Sequence, residues 1–98
     1  MKLESLIRSD AQREITETFQ WYENQSNGLG TEFLRAVDAA IASIERFPKA
    51  FPKVEGETRK ILLRRFPYAI FYIVHLDIIA ITGCYHQKRH PEIWRNKS

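Results

Sequence analysis

The stretch RKILLRRFPYAIFYIVHLDIIAITGCY, residues 59–85, decides the fold class. It is rich in Ile, Val, Phe and Tyr, a composition typical of β-strands, and polar residues and a proline interrupt its apolar runs. We therefore predict three consecutive antiparallel strands over 59–66, 68–74 and 78–85. His75 and Asp77 interrupt the apolar run and predict a hairpin turn at 75–77 between the last two strands.

Upstream of this stretch, apolar residues recur at the three- and four-residue spacing of amphipathic helices. Ser9 followed by Gln12 predicts a capping box that opens a first helix over residues 9–25. The turn formers NQSNGLG at 24–30 end this helix, and Gly28 suits a left-handed C-terminal cap.

The remaining segments complete the expected order of elements. A second helix is predicted over 31–47 and ends at Pro48. Residues 49–57 contain a proline and a glycine and are predicted to form a surface loop. The apolar lead at 3–7 is a candidate first strand, and the tail is expected to hold a helical turn beginning at Pro91.

Two consecutive helices followed by three consecutive strands predict an α+β fold. In this fold an antiparallel helical hairpin packs on one face of an antiparallel β-sheet. The seven residues of strand 68–74 are all apolar or aromatic, so we expect the other face of the sheet to be covered as well. A length of 98 residues fits one domain over 1–98.

Charge and cysteine content exclude several classes of protein. The net charge is +3, and it divides into an acidic half over 1–47 and a basic half over 48–98. The single cysteine, Cys84, excludes an intrachain disulfide and a zinc site of several thiolates. Charged residues near the N-terminus argue against an export signal. We expect a cytoplasmic protein with no metal, no cofactor and no membrane association.

Four stretches of the chain carry a family resemblance: WYENQSNGLGTEFL at 21–34, IERFP at 44–48, KILLRRFPYAIFYIV at 60–74 and YHQKRHPEIW at 85–94. In this order and at this spacing they resemble the RelE/ParE superfamily of bacterial toxins from type II toxin-antitoxin systems. The resemblance implies a small toxin in which two helices pack on an antiparallel sheet. It also implies a cognate antitoxin that lies along the toxin surface and holds it inactive.

The resemblance leaves two chemistries open, because RelE-like members cut mRNA on the ribosome whereas ParE-like members poison DNA gyrase. RelE-like nucleases commonly begin the strand equivalent to 68–74 with an arginine, and here that position is Tyr68. Some related nucleases carry a tyrosine where this chain has Gln87. Both departures favour a ParE-like toxin that binds its target, expected to be DNA gyrase, and is not an enzyme.

The alternative is a RelE-like, ribosome-dependent mRNA endonuclease. In that interpretation His86, Arg65 and Tyr68 supply the acid/base and phosphate-stabilising groups. A third possibility is an inactive toxin homologue kept for regulation.

Basic residues on the predicted strands and tail are candidates for binding an acidic antitoxin or a target, although a merely solvated face is the other interpretation. They are Arg59, Lys60, Arg64, Arg65, Lys88 and Arg89. Trp21 is expected to pack within the helical hairpin, and Cys84 is expected to be buried and inert.

Overall fold

The computed structural model describes residues 3–88, and this part of the chain forms two helices and a five-stranded sheet. In chain order the elements are β1 (Glu4–Ile7), α1 (Ser9–Gln25), α2 (Leu29–Arg46), β2 (Lys53–Glu55), β3 (Thr58–Leu62), β4 (Tyr68–His75) and β5 (Ile78–His86). The strand order across the sheet is β1-β5-β4-β3-β2. The α+β class, the helical hairpin and the three predicted strands are confirmed.

The central sheet is an antiparallel meander with a parallel edge strand. β2, β3, β4 and β5 pair antiparallel in sequence order, whereas β1 pairs parallel to β5, with Glu4 opposite Ile78. A parallel pair needs a long crossover connection, which here begins with the two helices. The N-terminal segment thus joins the sheet, as a parallel edge strand.

The main differences from the predicted strands are an additional strand, β2, and an early end of β3; the other ends of β3, β4 and β5 lie within one residue of the prediction. Residues 53–55, predicted as loop, form the short strand β2, because Val54 packs against buried residues of the sheet. β3 ends at Leu62 instead of residue 66. The chain turns there because Arg65 adopts a left-handed φ of 70° and Pro67, which follows, cannot donate to a strand ladder. The helical turn predicted from Pro91 lies outside the described residues.

The junction between the helices is capped differently from the prediction. α1 begins at Ser9 itself, and Arg8, the residue before it, makes no side-chain capping bond, so the predicted capping box is wrong. Gly28 does adopt the left-handed conformation, with φ of 89°, but it precedes α2 instead of ending α1. The Glu23 carboxylate accepts hydrogen bonds from the backbone N–H groups of Gly28 (2.9 Å) and Gly30 (3.0 Å). An α1 side chain therefore caps α2.

The main core lies between the helices and the inner face of the sheet. It is built from buried side chains of α1, α2, β4 and β5, among them Ile15, Phe33, Ile70, Tyr72 and Ile81. No helix in the part of the chain covered by the structure is long and apolar enough to cross a membrane.

The outer face of the sheet is covered at its centre. Ala69, Phe71 and Tyr85 are buried there, and Val54 packs against them. The expectation that this apolar face needs cover is therefore met at these three residues within the chain. An antitoxin is not required to cover them.

An aromatic cluster fixes one end of the helical hairpin on the sheet. The Phe33 ring meets Phe66 edge-on at 5.5 Å and Tyr68 at 5.6 Å, and Tyr22 meets Phe66 at 4.9 Å. Edge-to-face contacts of this kind stabilise beyond simple burial. They hold the first residue of β4 against both helices.

Candidate functional site

A groove with a volume of about 310 Å³ runs between α2 and the end of β3. Small residues of α2 form one wall, apolar residues around the end of β3 form the other, and charged residues stand at the rim. The lining residues are Ala36, Ala39, Ala40 and Ser43 on the first wall, Ile61, Leu62 and Phe66 on the second, and Glu32, Arg35, Arg64 and Arg65 at the rim. We refer to this feature as the α2–β3 groove.

The rim of the α2–β3 groove is predominantly basic. Arg65 Nη2 donates to Glu32 Oε1 over 2.8 Å, and both side chains remain solvent-exposed. Arg35 and Arg64 are exposed and add two further positive charges. An exposed ion pair contributes little to stability, so the arginines remain able to meet an acidic ligand. The groove thus combines walls of small and apolar residues with a cationic rim.

The other two predicted cations of this region lie elsewhere. Arg59 is half-buried, and its Nη1 donates to the backbone oxygens of Phe51 (2.7 Å) and Lys49 (3.1 Å). Lys60 is opposite Phe71 in the register and therefore lies on the outer face of the sheet. Arg64 and Arg65 are brought together at the groove, whereas Arg59 and Lys60 are not.

A second cavity, of about 370 Å³, opens between α1 and the ends of β4 and β5. We call it the His86 cleft. Its lining comprises Arg13, Glu14, Glu17, Thr18 and Trp21 from α1, together with Tyr68, Cys84, Tyr85 and His86 from the sheet.

His86 and Tyr68 meet in this cleft. Their rings contact edge-on, with centroids 5.2 Å apart. His86 Nδ1 accepts a hydrogen bond from the backbone N–H of Lys88 at 3.0 Å, so the neutral imidazole carries its proton on Nε2. Arg65, the third residue of the nuclease interpretation, lines the α2–β3 groove instead. Arg89 lies outside the described residues.

The charges around the His86 cleft are mixed. Glu14 Oε1 accepts from the backbone N–H of Cys84 at 3.0 Å, and Glu17 adds a second carboxylate. Among the residues that the structure describes, Arg13 is the one Arg or Lys of the lining. Two carboxylates beside one guanidinium make poor surroundings for a nucleic-acid phosphate.

Trp21 and Cys84, for which the sequence predicted positions, both line the His86 cleft. The expectation that Trp21 packs within the hairpin is wrong, because its side chain is 57% exposed. The neighbouring Tyr22 takes the position that faces the core, and the Trp21 ring meets it edge-on at 5.1 Å. Cys84 is buried, as expected.

Burial, together with the nearby Tyr68 and Cys84, raises the pKa of Tyr22 above its ordinary value.

Comparison with known proteins identifies the architecture. No protein-family model and no curated protein match the sequence. Eight chains of solved structures match the fold, one of them from a chromosomal ParDE TA (toxin-antitoxin) system from P. aeruginosa. That chain is 14% identical, with a TM-score of 0.65, and the match covers 87% of this chain and 96% of the other. The protein has the RelE/ParE-like fold. In this version of the RelE/ParE-like fold, the α2–β3 groove and the His86 cleft are separate cavities that have no lining residue in common within residues 3–88.

Within residues 3–88, no cluster of three or more His, Cys, Asp or Glu side chains is arranged to hold a metal ion.

Proposed function

We propose that this protein is the toxin of a type II toxin-antitoxin system, acting in the cytoplasm. The observation that carries the proposal is the α2–β3 groove, because its walls of small and apolar residues and its basic rim are able to bind an amphipathic protein segment. The RelE/ParE-like fold and the similarity to a chain of a ParDE system support it.

The proposed occupant of the groove is an amphipathic segment of a cognate antitoxin. Ala36, Ala39 and Ser43 are small, so the backbone of a partner can approach α2 closely. Leu62, which is 51% exposed, offers apolar area on the opposite wall. Acidic residues flanking the segment would pair with Arg35 and Arg64 at the rim. Burial of apolar side chains contributes the affinity of the toxin–antitoxin complex. The charge pairs fix the position of the antitoxin segment along the groove.

The proposed target is DNA gyrase, which the toxin inhibits by binding and not by catalysis. Cleavage of RNA requires cations that stabilise the charge developing on the phosphate. The His86 cleft instead places Glu14 and Glu17 near His86, and Arg65 belongs to the other cavity. These surroundings support a binding inhibitor in the manner of ParE-like toxins.

The second candidate is a ribosome-dependent mRNA endonuclease. One observation favours it: His86 and Tyr68 share a cleft, and the Nε2–H of His86 is the ring position left after Nδ1 accepts from Lys88. Only the imidazolium form of His86, in which Nδ1 no longer accepts from Lys88, is able to protonate a leaving oxygen through Nε2–H. The bound ribosome would have to supply the remaining positive charge.

The experiment expresses the chain alone and together with the product of each reading frame adjacent to its gene. The proposal predicts growth arrest in the first case and rescue in the second, with a complex that co-purifies. Rescue should fail if the adjacent product does not bind this chain. Growth that is unaffected by the chain alone would contradict the toxin proposal.

The target is decided with purified protein in two parallel assays. DNA supercoiling by gyrase should be blocked, and mRNA on translating ribosomes should stay intact. His86→Ala is the matched variant. Ribosome-dependent cleavage that His86→Ala abolishes, in a protein that remains folded, would establish the endonuclease in place of the gyrase inhibitor.

A further inference from the structure

Residues 47–52, which we call the 47–52 loop, join α2 to β2 and are held by the backbone at both ends. At the start, the N–H of Ala50 donates to the carbonyl oxygen of Phe47 over 3.1 Å. At the end, the N–H of Lys60 donates to the carbonyl oxygen of Pro52 over 3.2 Å. Backbone hydrogen bonds therefore hold the first and the last residue of the loop in place.

Two side chains from the sheet fix the middle of the loop. Tyr72, which is fully buried, donates its hydroxyl to the carbonyl oxygen of Pro48 over 2.7 Å. Arg59 donates to the carbonyl oxygens of Lys49 and Phe51 over 3.1 and 2.7 Å. Hydrogen bonds donated by a charged group are the stronger kind. The sheet thus holds the loop backbone in one conformation.

This fixed loop presents an aromatic ring to solvent. Phe47 is 58% exposed, although its own N–H is bound to the carbonyl oxygen of Ser43 at 2.9 Å. The guanidinium carbon of Arg46 lies 5.6 Å from the centre of the Phe47 ring, and the exposed Lys49 follows two residues later. An exposed aromatic side chain on rigid backbone, beside two cations, has the composition of an interface anchor.

We propose that Phe47 is the anchor by which this protein binds its cellular target. The partner is a protein that offers an apolar pocket ringed by carboxylates, which Arg46 and Lys49 meet at the edge. Because the loop is already ordered, little conformational entropy is lost when the ring is buried. This inference rests on the proposed toxin function and names the surface through which the toxin acts.

The Phe47 surface is separate from the α2–β3 groove. On α2 the groove lining runs from Glu32 to Ser43, and neither Phe47 nor the rest of the 47–52 loop contributes to it. We therefore assign the groove to the antitoxin and Phe47 to the target. The two partners then recognise different residues of the toxin.

The test compares Phe47→Ala, Phe47→Leu and Leu76→Ala with the unchanged chain. Leu76 is the control because it is 86% exposed and apolar but lies in the turn between β4 and β5, away from both cavities. The measurement is the intracellular toxin level that gives half-maximal growth arrest. Affinity for the antitoxin and the thermal unfolding midpoint are measured on the same variants.

Phe47→Ala should raise the toxin level needed for arrest at least about tenfold, the effect expected for a hot-spot side chain. Its antitoxin affinity and unfolding midpoint should match those of the unchanged chain, because the ring is exposed and lies outside the groove. Phe47→Leu keeps apolar bulk and should retain most of the toxicity. Leu76→Ala should behave as the unchanged chain does.

Three results on the variants would overturn the inference, and a fourth would overturn the proposed function on which it rests. If Phe47→Ala arrests growth at the same toxin level as the unchanged chain, Phe47 is not the anchor. A matching loss of antitoxin affinity assigns Phe47 to the antitoxin, and a dimer that Phe47→Ala dissociates assigns it to a second copy. An unchanged chain that never arrests growth contradicts the proposed function itself, and the inference falls with it.

Discussion

Tyr72 and Pro48, which are far apart in sequence, are joined by a hydrogen bond of 2.7 Å from the Tyr72 hydroxyl to the Pro48 carbonyl oxygen. The tyrosine ring lies in the main core on β4, and the proline is the second residue of the loop after α2. One side chain thus fills the core and also positions a surface loop. Its hydroxyl can be removed without changing the packing of its ring.

Tyr72→Phe should therefore lower the free energy of unfolding by about 1 to 2 kcal/mol, because the Pro48 carbonyl oxygen loses a donor in a partly buried position. Urea denaturation checks the value. Tyr22→Phe is the matched control, since the Tyr22 hydroxyl makes no hydrogen bond within residues 3–88. Equal losses for the two variants would contradict the role assigned to the Tyr72 hydroxyl.

The same residue predicts how stability depends on alkaline pH. Burial raises the pKa of Tyr72 above its ordinary value of about 10, and the charge of Arg59 opposes only part of that increase. Above pH 10 the folded chain therefore holds a proton that the unfolded chain has released. Stability should fall as the pH rises from about 10 through the pKa of the folded state.

The measurement is the free energy of unfolding between pH 8 and pH 11 for the unchanged chain and for Tyr72→Phe. Other groups titrate equally in both proteins, so the difference isolates Tyr72. The decline should be less steep in Tyr72→Phe. Parallel curves would show that the Tyr72 pKa does not differ between the folded and unfolded states.

Local patterns predicted both helices and the strands β1, β3, β4 and β5, whereas β2 and the capping of α2 depend on contacts between distant residues. The apolar spacing of α1 and the β-branched residues of β4 report burial, which each element shows in its own sequence. The cap of α2 depends on Glu23, a charged residue that belongs to α1 and carries no N-cap signal for the next helix. No local pattern contains that information.

The residues of the candidate site were also predicted only where the local sequence shows their role. The adjacent Arg64 and Arg65 were predicted to bind a partner, and both lie at the α2–β3 groove. Arg59 was placed in the same group because its charge was visible and its hydrogen bonds to the 47–52 loop were not. The second helix was predicted to extend through residue 47, since spacing alone cannot show that the helix ends at Arg46 and leaves the Phe47 ring exposed.

The cap supplied by Glu23 yields a further prediction. Glu23→Ala removes the acceptor for two backbone N–H groups at the positive end of α2 and should cost about 1 to 2 kcal/mol of stability. Glu23→Gln keeps one acceptor oxygen and should cost less. Gln20→Ala, which changes an exposed residue of the same helix, is the control. The free energy of unfolding is measured by urea denaturation. An equal loss of stability for Gln20→Ala and Glu23→Ala would contradict the capping role of Glu23.

The two glycines of the helix junction should respond differently to alanine. A Cβ at Gly30 would lie 2.6 Å from the carbonyl oxygen of Phe19 and 2.8 Å from its ring, so the helices would have to move apart. We expect a loss of about 3 kcal/mol, at the upper end of the range for overpacking. A Cβ at Gly28 meets no atom within 4 Å and suffers only from the positive φ, a penalty of about 1 to 2 kcal/mol.

Thermal or urea unfolding of Gly30→Ala and Gly28→Ala tests this order. A larger loss for Gly28→Ala would mean that backbone conformation, and not the close approach of α1 to α2, limits the junction.

The final prediction concerns the α2–β3 groove and uses two alanines of one helix. Ala39 lines the groove, whereas Ala42, three residues later, is exposed and does not line it. Ala39→Glu places a carboxylate where the proposed antitoxin segment is expected to bring acidic and apolar groups. The affinity for the antitoxin should fall at least about tenfold, through like-charge repulsion and loss of close approach. Ala42→Glu adds the same charge at an exposed position of α2 outside the groove lining, where glutamate is a good helix former. Isothermal titration calorimetry with the purified antitoxin should show nearly unchanged affinity for Ala42→Glu, and both variants should unfold at similar temperatures. Equal affinities for the two variants would place the antitoxin somewhere other than the groove.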